Sequence, residues 1–221
     1  MKVAAFFDVD QTLLAENSGK LYLQWMFQKG RVSQVDLWRA AYSIALHRLN
    51  RLDAKALARR AMTSLVGYSA TQMEAECAEW FEKMVLRWLS PAGMRTVEAH
   101  KEQGHTVVLC SASTQFVCDP LVKHLSIDGA LCTRLVVKDG HLTGEIEEPF
   151  CYGPGKREVL EKYARENDVD LVQSYFYSDS VTDLPALEAV GKPVVVNADR
   201  YLYREARHRA WPLLSWGAPQ G

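Results

Sequence analysis

The sequence carries no surplus of charge, no long apolar run and no cysteine pattern typical of a disulfide framework or a metal site. Its 221 residues have a formal net charge of −1, so no overall field would attract nucleic acid. Its five cysteines are odd in number and show no Cys-x-x-Cys spacing, which indicates reduced, packed thiols. The N-terminal apolar run stops at Asp8, too short for a signal-peptide core, and no stretch would span a bilayer. We therefore expect a cytoplasmic protein with no nucleic-acid partner and no membrane span.

Strand and helix patterns alternate over most of the chain. Residues 3–7 form a continuous apolar run, which predicts a buried strand. After residue 90, strand patterns such as "HTVVLC" and "PVVVNAD" are separated by helical ones such as "GPGKREVLEKYAREN". A hairpin turning at Asp139-Gly140 is predicted within "TRLVVKDGHLTGEI". This alternation predicts an α/β fold, with a Rossmann-like, doubly wound, mostly parallel sheet covered by helices on both faces.

An all-helical block interrupts the alternation directly after the first strand. Its residues show almost no strand signals, and their helical periods are broken at Gly- and Asn-containing turns. Four helices are predicted, at about 18–29, 33–50, 53–66 and 69–89. The second is mostly apolar, which favours burial within a helical bundle. We therefore expect an α/β core of residues 1–16 and 90–221, with an inserted all-helical cap domain of residues 17–89.

Polar side chains follow three of the predicted parallel strands, and a lysine lies in the first turn of a helix between them. Because the carboxyl ends of parallel strands mark the ligand-binding edge of an open α/β sheet, we expect these side chains to meet there. They are Asp8, Asp10, Thr12, Ser111, Lys156, Asp179 and Asp183.

This set of groups has a chemical purpose. Four carboxylates in one crevice repel each other unless a cation lies between them, and oxygen ligands suit Mg²⁺. A metal, a lysine ammonium group and hydroxyl donors together form a receptor for a phosphate group. One carboxylate would then attack phosphorus to give an aspartyl-phosphate, while a second moves protons.

The motifs resemble those of a known family. The order DxDxT, Ser after an apolar strand, Lys and then DxxxD resembles the haloacid dehalogenase (HAD) superfamily of phosphohydrolases. The helical insertion is similar to a type C1 cap. The segments "SDSVTDLPALE" and "VNADRYLYREARHRAW" are similar to those of subfamily IB, the phosphoserine-phosphatase-like branch.

The resemblance implies that three residues carry the reaction. Asp8 would be the nucleophile and a metal ligand. Asp10 would protonate the leaving oxygen and later activate water, with its backbone carbonyl on the metal. Lys156 would neutralise charge on the nucleophile and on the phosphoryl group.

The resemblance also implies the binding groups around them. Thr12, Ser111 and the adjacent Ala112 would bind the phosphoryl oxygens. Asp179 would complete the Mg²⁺ shell, and Asp183 would hold a metal-bound water or orient its neighbours. Two local alternatives stay open from the sequence, since a helix N-cap would also explain Ser111 or Asp183.

The residues that follow the first motif leave the substrate open. Gln11 stands where the family usually has a small residue, and it would crowd the turn or reach toward the cap. Gln11, Glu16, Asn17 and Ser18 are the candidates for selecting the substrate. Phosphoserine, histidinol phosphate and related amino-alcohol phosphates all fit, and specificity resides in the cap.

The sequence therefore predicts a Mg²⁺-dependent phosphomonoesterase acting on a small phosphate ester, as a monomer or a homodimer. Alternatives on the same core are a lysophospholipid phosphate phosphatase, a phosphotransferase and a catalytically silent phosphate-binding protein. A phospho-accepting receiver domain is disfavoured, because here the acidic pair 179/183 follows the lysine. A P-loop is excluded, because "GPGKR" lacks Gly at 150 and Ser or Thr at 157.

Overall fold

The structure, a computed structural model, describes residues 1–31 and 54–217. Six strands form one sheet and two more form a hairpin. The sheet strands are β1 (Ala4–Phe7), β2 (Thr106–Thr114), β3 (Gly129–Thr133), β6 (Tyr175–Ser178), β7 (Lys192–Val196) and β8 (Leu213–Leu214). Their order is β3-β2-β1-β6-β7-β8, and every neighbouring pair is parallel. The predicted parallel sheet is confirmed, whereas the short strands β3 and β8 were not predicted.

The hairpin lies outside this sheet. It consists of β4 (Leu135–Lys138) and β5 (His141–Ile146), which pair antiparallel. Its turn is at Asp139 and Gly140, whose φ angles of +50° and +77° are left-handed. Two left-handed residues between paired strands are the mark of a tight hairpin turn, so the predicted turn is confirmed.

Helices connect the strands and flank the sheet. They are α1 (Ser18–Gln28), α2 (Ala54–Thr63), α3 (Ala70–Trp80), α4 (Pro91–Glu102), α5 (Gln115–Leu125), α6 (Pro154–Asn167), α7 (Leu184–Leu187) and α8 (Arg200–His208). The helix predicted at 69–89 ends earlier, because a π-helical turn (Phe81–Val85) and a 3-10 turn (Leu86–Trp88) follow α3. The helix predicted at 33–50 lies outside the described residues. No helix in residues 1–31 and 54–217 is long and apolar enough to cross a membrane.

Strand β1 is buried on both faces. Its four residues are fully buried, and they alternate between two apolar clusters. Ala5 and Phe7 belong to one cluster, whereas Ala4 and Phe6 belong to the other. This explains why the strand is apolar throughout: a parallel strand with helices on both sides has no solvent-facing positions. The burial of β1 fixes the direction in which the chain emerges at Asp8.

The helices between β1 and α4 contact both the core and the hairpin. Leu21 and Trp25 of α1 belong to the same apolar cluster as Phe7. Further along, Met73 and Cys77 of α3 pack in a third cluster that includes residues of α5 and of the hairpin. All five cysteines are buried and free, as predicted.

A close backbone approach fixes the start of α6. A Cβ atom added to Gly155 would lie 1.9 Å from the carbonyl oxygen of Phe150. No side chain other than the hydrogen of glycine fits at that distance, so the sequence "GPGK" reflects packing as well as helix initiation. Lys156 is the next residue, and its position therefore depends on this approach.

Replacing Gly155 with alanine should destabilise the protein by about 2 kcal/mol, because backbone must move to admit the Cβ atom. The thermal midpoint should fall by about 4–8 °C. The matched control is Gly217→Ala, where an added Cβ atom meets open space and φ is not left-handed. Equal midpoints for the two variants would contradict the close approach of Gly155 to Phe150.

Gln11 also has a left-handed backbone, with φ of +58°. Such a conformation costs an L-residue about 1 kcal/mol or more, whereas glycine adopts it freely. Gln11→Gly should therefore raise the free energy of unfolding by about 0.5–1 kcal/mol, measured by chemical denaturation. Ala15→Gly, at a nearby position without left-handed φ, should lower it. A destabilised Gln11→Gly variant would show that the glutamine side chain is itself needed.

Candidate active site

Strand β1 delivers Asp8 to the edge of the sheet. The Asp8 amide nitrogen donates a hydrogen bond to the carbonyl of Tyr177 in β6, with an N–O distance of 2.9 Å. This bond continues the parallel pairing of β1 with β6 by one residue. Asp8 is buried, with 7% of its surface exposed. The carboxylate is therefore fixed between two central strands and shielded from bulk water.

Lys156 joins two of the predicted acids. Its Nζ atom lies 2.5 Å from Asp8 Oδ1 and 2.6 Å from Asp183 Oδ2. The Ser178 hydroxyl also donates to Asp183 Oδ2, at 2.7 Å. Only 2% of the lysine surface is exposed. Lys156 is 148 positions from Asp8 and 27 from Asp183 in sequence. The three residues thus meet in one buried ion-paired cluster.

Burial and neighbouring charges shift the pKa values of Asp8, Asp179 and Lys156. Burial raises the pKa of Asp8 to about 7 although the Lys156 charge opposes the rise. Burial, with the nearby charges of Asp8 and Asp183, raises the pKa of Asp179 to about 9. Burial alone would lower the pKa of Lys156, but the charges of Asp183 and Asp8 outweigh it and raise that pKa well above its ordinary value. One ammonium group therefore faces more acids than it neutralises.

The donor set fits Mg²⁺, with Asp8 and Asp179 as the carboxylates that the sequence predicts as direct ligands. No group of three or more His, Cys, Asp or Glu side chains within residues 1–31 and 54–217 is arranged as a metal cluster. Asp183 Oδ2 is occupied by Lys156 and Ser178. Asp8 and Asp179 remain, the charge of Asp8 raises the pKa of Asp179, and Asp179 forms no ion pair among the described residues. Two carboxylates with a local excess of negative charge suit Mg²⁺, which keeps several of its waters.

Asp10 is held from the start of α1. The Ser18 amide nitrogen donates to Asp10 Oδ1 at 2.8 Å, and Asn17 Nδ2 donates to Asp10 Oδ2 at 2.9 Å. Burial raises the pKa of Asp10, and the Ser18 hydrogen bonds oppose that rise. Asn17 also caps α1, since its Oδ1 accepts from the amide of Lys20 at 3.0 Å. Of the four residues predicted to select the substrate, Asn17 and Ser18 thus contact Asp10 and Glu16 pairs with Lys20, and their contact with a substrate stays a prediction.

Ser111 and its neighbours form the carboxyl end of β2. The Ser111 hydroxyl accepts from the Ser113 amide at 3.1 Å, and the Ser113 hydroxyl lies 3.0 Å from that of Ser18. The carbonyl of Ala112 accepts from the Thr133 hydroxyl at 2.7 Å. Ser111 lies within β2 and four residues before α5, so the helix-cap alternative for this serine is excluded.

The two remaining predicted residues behave differently. Asp183 stands at the start of α7 but makes no capping hydrogen bond, because its carboxylate faces Lys156 and Ser178. Thr12 is fully buried, and its hydroxyl has no hydrogen-bond partner among the described residues. The structure therefore supports an electrostatic task for Asp183 and leaves the contact of Thr12 with a phosphoryl group as a prediction.

Several polar contacts of the site were missed by the sequence analysis. Ser178, Ser113 and Asn197 each hydrogen-bond to a residue or loop of the site. Ser178 and Asn197 have one sequence feature that could have identified them, because each is a polar residue at the carboxyl end of an apolar strand pattern. Their hydrogen-bond partners lie on other parts of the chain, so the spacing of residues in the sequence does not predict them.

Comparison with sequences places the chain in a family. Residues 5–188 match the family described as haloacid dehalogenase-like hydrolase. A relative from Mycobacterium tuberculosis, named a probable phosphatase, is 34% identical over 221 residues, which cover 99% of this chain and 77% of that protein. A histidinol-phosphatase from Neisseria meningitidis is 28% identical over 221 residues, which cover 98% of this chain and 100% of that protein.

Solved structures share the fold. A protein of unknown function from Bordetella pertussis Tohama I superposes with a TM-score of 0.90 at 26% identity, over 98% of this chain and 100% of that one. A phospho-aspartyl intermediate analogue of phosphoserine phosphatase superposes with a TM-score of 0.72 at 18% identity, over 98% and 94% respectively. These matches confirm the resemblance drawn from the sequence motifs, and the chain belongs to the haloacid dehalogenase-like hydrolases.

Proposed function

We propose that the chain is a Mg²⁺-dependent phosphomonoesterase that works through an aspartyl-phosphate on Asp8. The observation that carries this proposal is the buried Lys156 ammonium group between Asp8 and Asp183. A carboxylate that is fixed, shielded from water and held next to a cation is suited to attack a phosphorus atom. A mainly structural ion pair would not need a further acid pair, Asp10 and Asp179, at the same edge of the sheet.

Asp8, Asp10 and Lys156 each have a separate task in the proposed reaction. An Asp8 oxygen attacks phosphorus, the P–O bond to the alcohol breaks, and Asp10 gives its proton to the leaving oxygen. Asp10 then takes a proton from water as that water attacks the aspartyl-phosphate and releases inorganic phosphate. Lys156 offsets negative charge on Asp8 and on the phosphoryl oxygens throughout. A bound Mg²⁺, held by Asp8, Asp179 and the Asp10 carbonyl, would supply the additional positive charge that keeps both carboxylates ionised.

The proposed substrates are small phosphate monoesters such as phosphoserine, histidinol phosphate and related amino-alcohol phosphates. The name of the Neisseria relative, and the phosphoserine phosphatase fold, support this class. We assign the choice among these esters to residues 17–89 as the cap domain, because α1 begins at Ser18 beside Asp10. Five free cysteines support the cytoplasm as the site of action.

Replacement of Asp8 with asparagine should abolish phosphate release, since the amide is not a nucleophile toward phosphorus. Wild-type protein with Mg²⁺ should release phosphate from p-nitrophenyl phosphate and from at least one of phosphoserine, histidinol phosphate and ethanolamine phosphate. Asp8→Asn should lower kcat by about 10³-fold or more on each. Asp139→Asn, at the exposed hairpin turn, should match the wild type. Mg²⁺-dependent turnover by a folded Asp8→Asn variant would refute the mechanism.

Mg²⁺ should stabilise the fold as well as permit turnover. A cation between Asp8 and Asp179 relieves their repulsion only in the folded state, so Mg²⁺ should raise the thermal midpoint of EDTA-treated protein. Asp179→Asn removes one carboxylate, so half of the midpoint shift should require at least about tenfold more Mg²⁺ than in the wild type. Asp139→Asn again serves as the control for the loss of a surface charge. If Mg²⁺ shifts the midpoints of wild type and Asp179→Asn at the same concentration, the assigned site is wrong.

A further inference from the structure

The loop between β7 and α8 reaches back to the loop that carries Asp10. Asn197 follows β7 directly, and its Nδ2 atom donates to the backbone carbonyl of Gln11 at 3.0 Å. Its Oδ1 atom accepts from the amide of Trp216 at 2.8 Å, and its own amide donates to the carbonyl of Leu214 at 3.0 Å. One side chain thus joins the chain segment after β8 to the turn after β1, 186 residues away.

The hydrogen bond from Asn197 is made to a turn with an unfavourable backbone conformation. Gln11 lies between Asp10 and Thr12, and both Gln11 and Asn197 have left-handed backbones, with φ of +58° and +48°. A non-glycine residue in this conformation persists only where the surrounding structure holds it. The side-chain amide of Asn197 fixes the orientation of the Gln11–Thr12 peptide. Gln11 is joined to Asp10 through the preceding peptide bond, so this hydrogen bond constrains the turn that carries the Asp10 side chain. The orientation of the Asp10 side chain therefore depends in part on this hydrogen bond.

The far end of the same loop is fixed to the other acidic loop. The Asp199 amide donates to the carbonyl of Asp179, and Asp199 Oδ2 accepts from the amide of Val181, both at 2.7 Å. Asp199 Oδ1 caps α8, accepting from the amides of Tyr201 and Leu202. Because the hydrogen bonds of Asp199 restrain this loop, they also restrain the position of Asn197 relative to Gln11.

We propose that Asn197 is a positioning residue for proton transfer by Asp10. It touches neither substrate nor the reacting atoms, and it acts through the Gln11 carbonyl. The inference rests on the proposed function, in which Asp10 protonates the leaving oxygen. Asn17 and Ser18 hold the carboxylate of Asp10, and Asn197 holds the backbone of the next residue, Gln11.

The test compares esters that differ in their need for an acid. p-Nitrophenolate leaves readily without a proton, whereas an alkoxide does not, so only alkyl phosphates depend strongly on general acid catalysis. The alkyl ester is the one of phosphoserine, histidinol phosphate and ethanolamine phosphate that the wild type hydrolyses fastest. The measured quantity is the ratio of kcat/KM for this ester to kcat/KM for p-nitrophenyl phosphate, because kcat/KM covers the steps up to alcohol release and not the hydrolysis of the aspartyl-phosphate that both esters share. The thermal midpoint is recorded for each variant.

Two variants separate the hydrogen bond from the backbone conformation. Asn197→Gly keeps access to the left-handed backbone and removes the amide. Asn197→Asp keeps an acceptor for the Trp216 amide but presents an anion to the Gln11 carbonyl. In both, kcat/KM for the alkyl ester should fall by about 100-fold, while kcat/KM for p-nitrophenyl phosphate stays within about threefold. Ser126→Gly, at another left-handed position, should keep the wild-type ratio.

The outcomes distinguish this inference from the proposed function. If the wild type hydrolyses both esters and the two Asn197 variants keep its ratio, Asn197 does not position Asp10. An equal fall in kcat/KM on both esters, with or without a lower thermal midpoint, would also overturn the inference. If Asn197→Gly does not fold, the ratio measured for Asn197→Asp decides. A wild type that releases phosphate from neither ester with Mg²⁺ would refute the proposed function, and this inference with it.

Discussion

A buried ammonium group between two carboxylates is the interaction on which the rest of the site depends. Removing Lys156 from such a cluster would leave Asp8 and Asp183 as uncompensated buried charges, which is costly in any protein interior. The fold supplies the lysine through the close approach of Gly155 to the Phe150 carbonyl, and it supplies Asp8 through a strand that is buried on both faces. The arrangement still has more acid than base, because Asp179 lies nearby with a raised pKa. That imbalance is what a divalent cation and a phosphate ester would together resolve.

The second constraint is the junction between the first strand and the helices that follow it. Asn17 both caps α1 and donates to Asp10, so the start of this helix and the position of the acid are set by one side chain. Ser18 extends the connection to the end of β2 through Ser113. Because these contacts are short and local, a displacement of α1 would also displace the groups that move protons. The candidate site is therefore a joint product of the sheet edge and of the first inserted helix.

Much of this arrangement could be predicted, for a physical reason. Parallel strands end at one edge of the sheet, so acids that follow separate apolar strands come close to each other there. Asp8 and Asp183 do so, and both contact Lys156. The sequence analysis could not predict where side chains point within that edge. It named Asn17 and Ser18 as candidates for selecting the substrate, but it did not predict that the Asn17 side chain and the Ser18 backbone amide donate to Asp10. It also missed β3 and β8, since a five-residue strand with Gly and Ala and a two-residue strand carry too little periodicity to be recognised. Tertiary pairing alone creates them.

The central claim is that Asp8 becomes phosphorylated during turnover. An acyl phosphate is reduced by borohydride to the corresponding alcohol, so an aspartyl-phosphate trapped by rapid quenching is converted to homoserine. We would quench wild-type protein during turnover with Mg²⁺ and its best ester, reduce it, and locate homoserine by peptide mass analysis. The account predicts homoserine at position 8, dependent on both substrate and Mg²⁺. Turnover with Asp8 unmodified, or homoserine at any other aspartate, would contradict it.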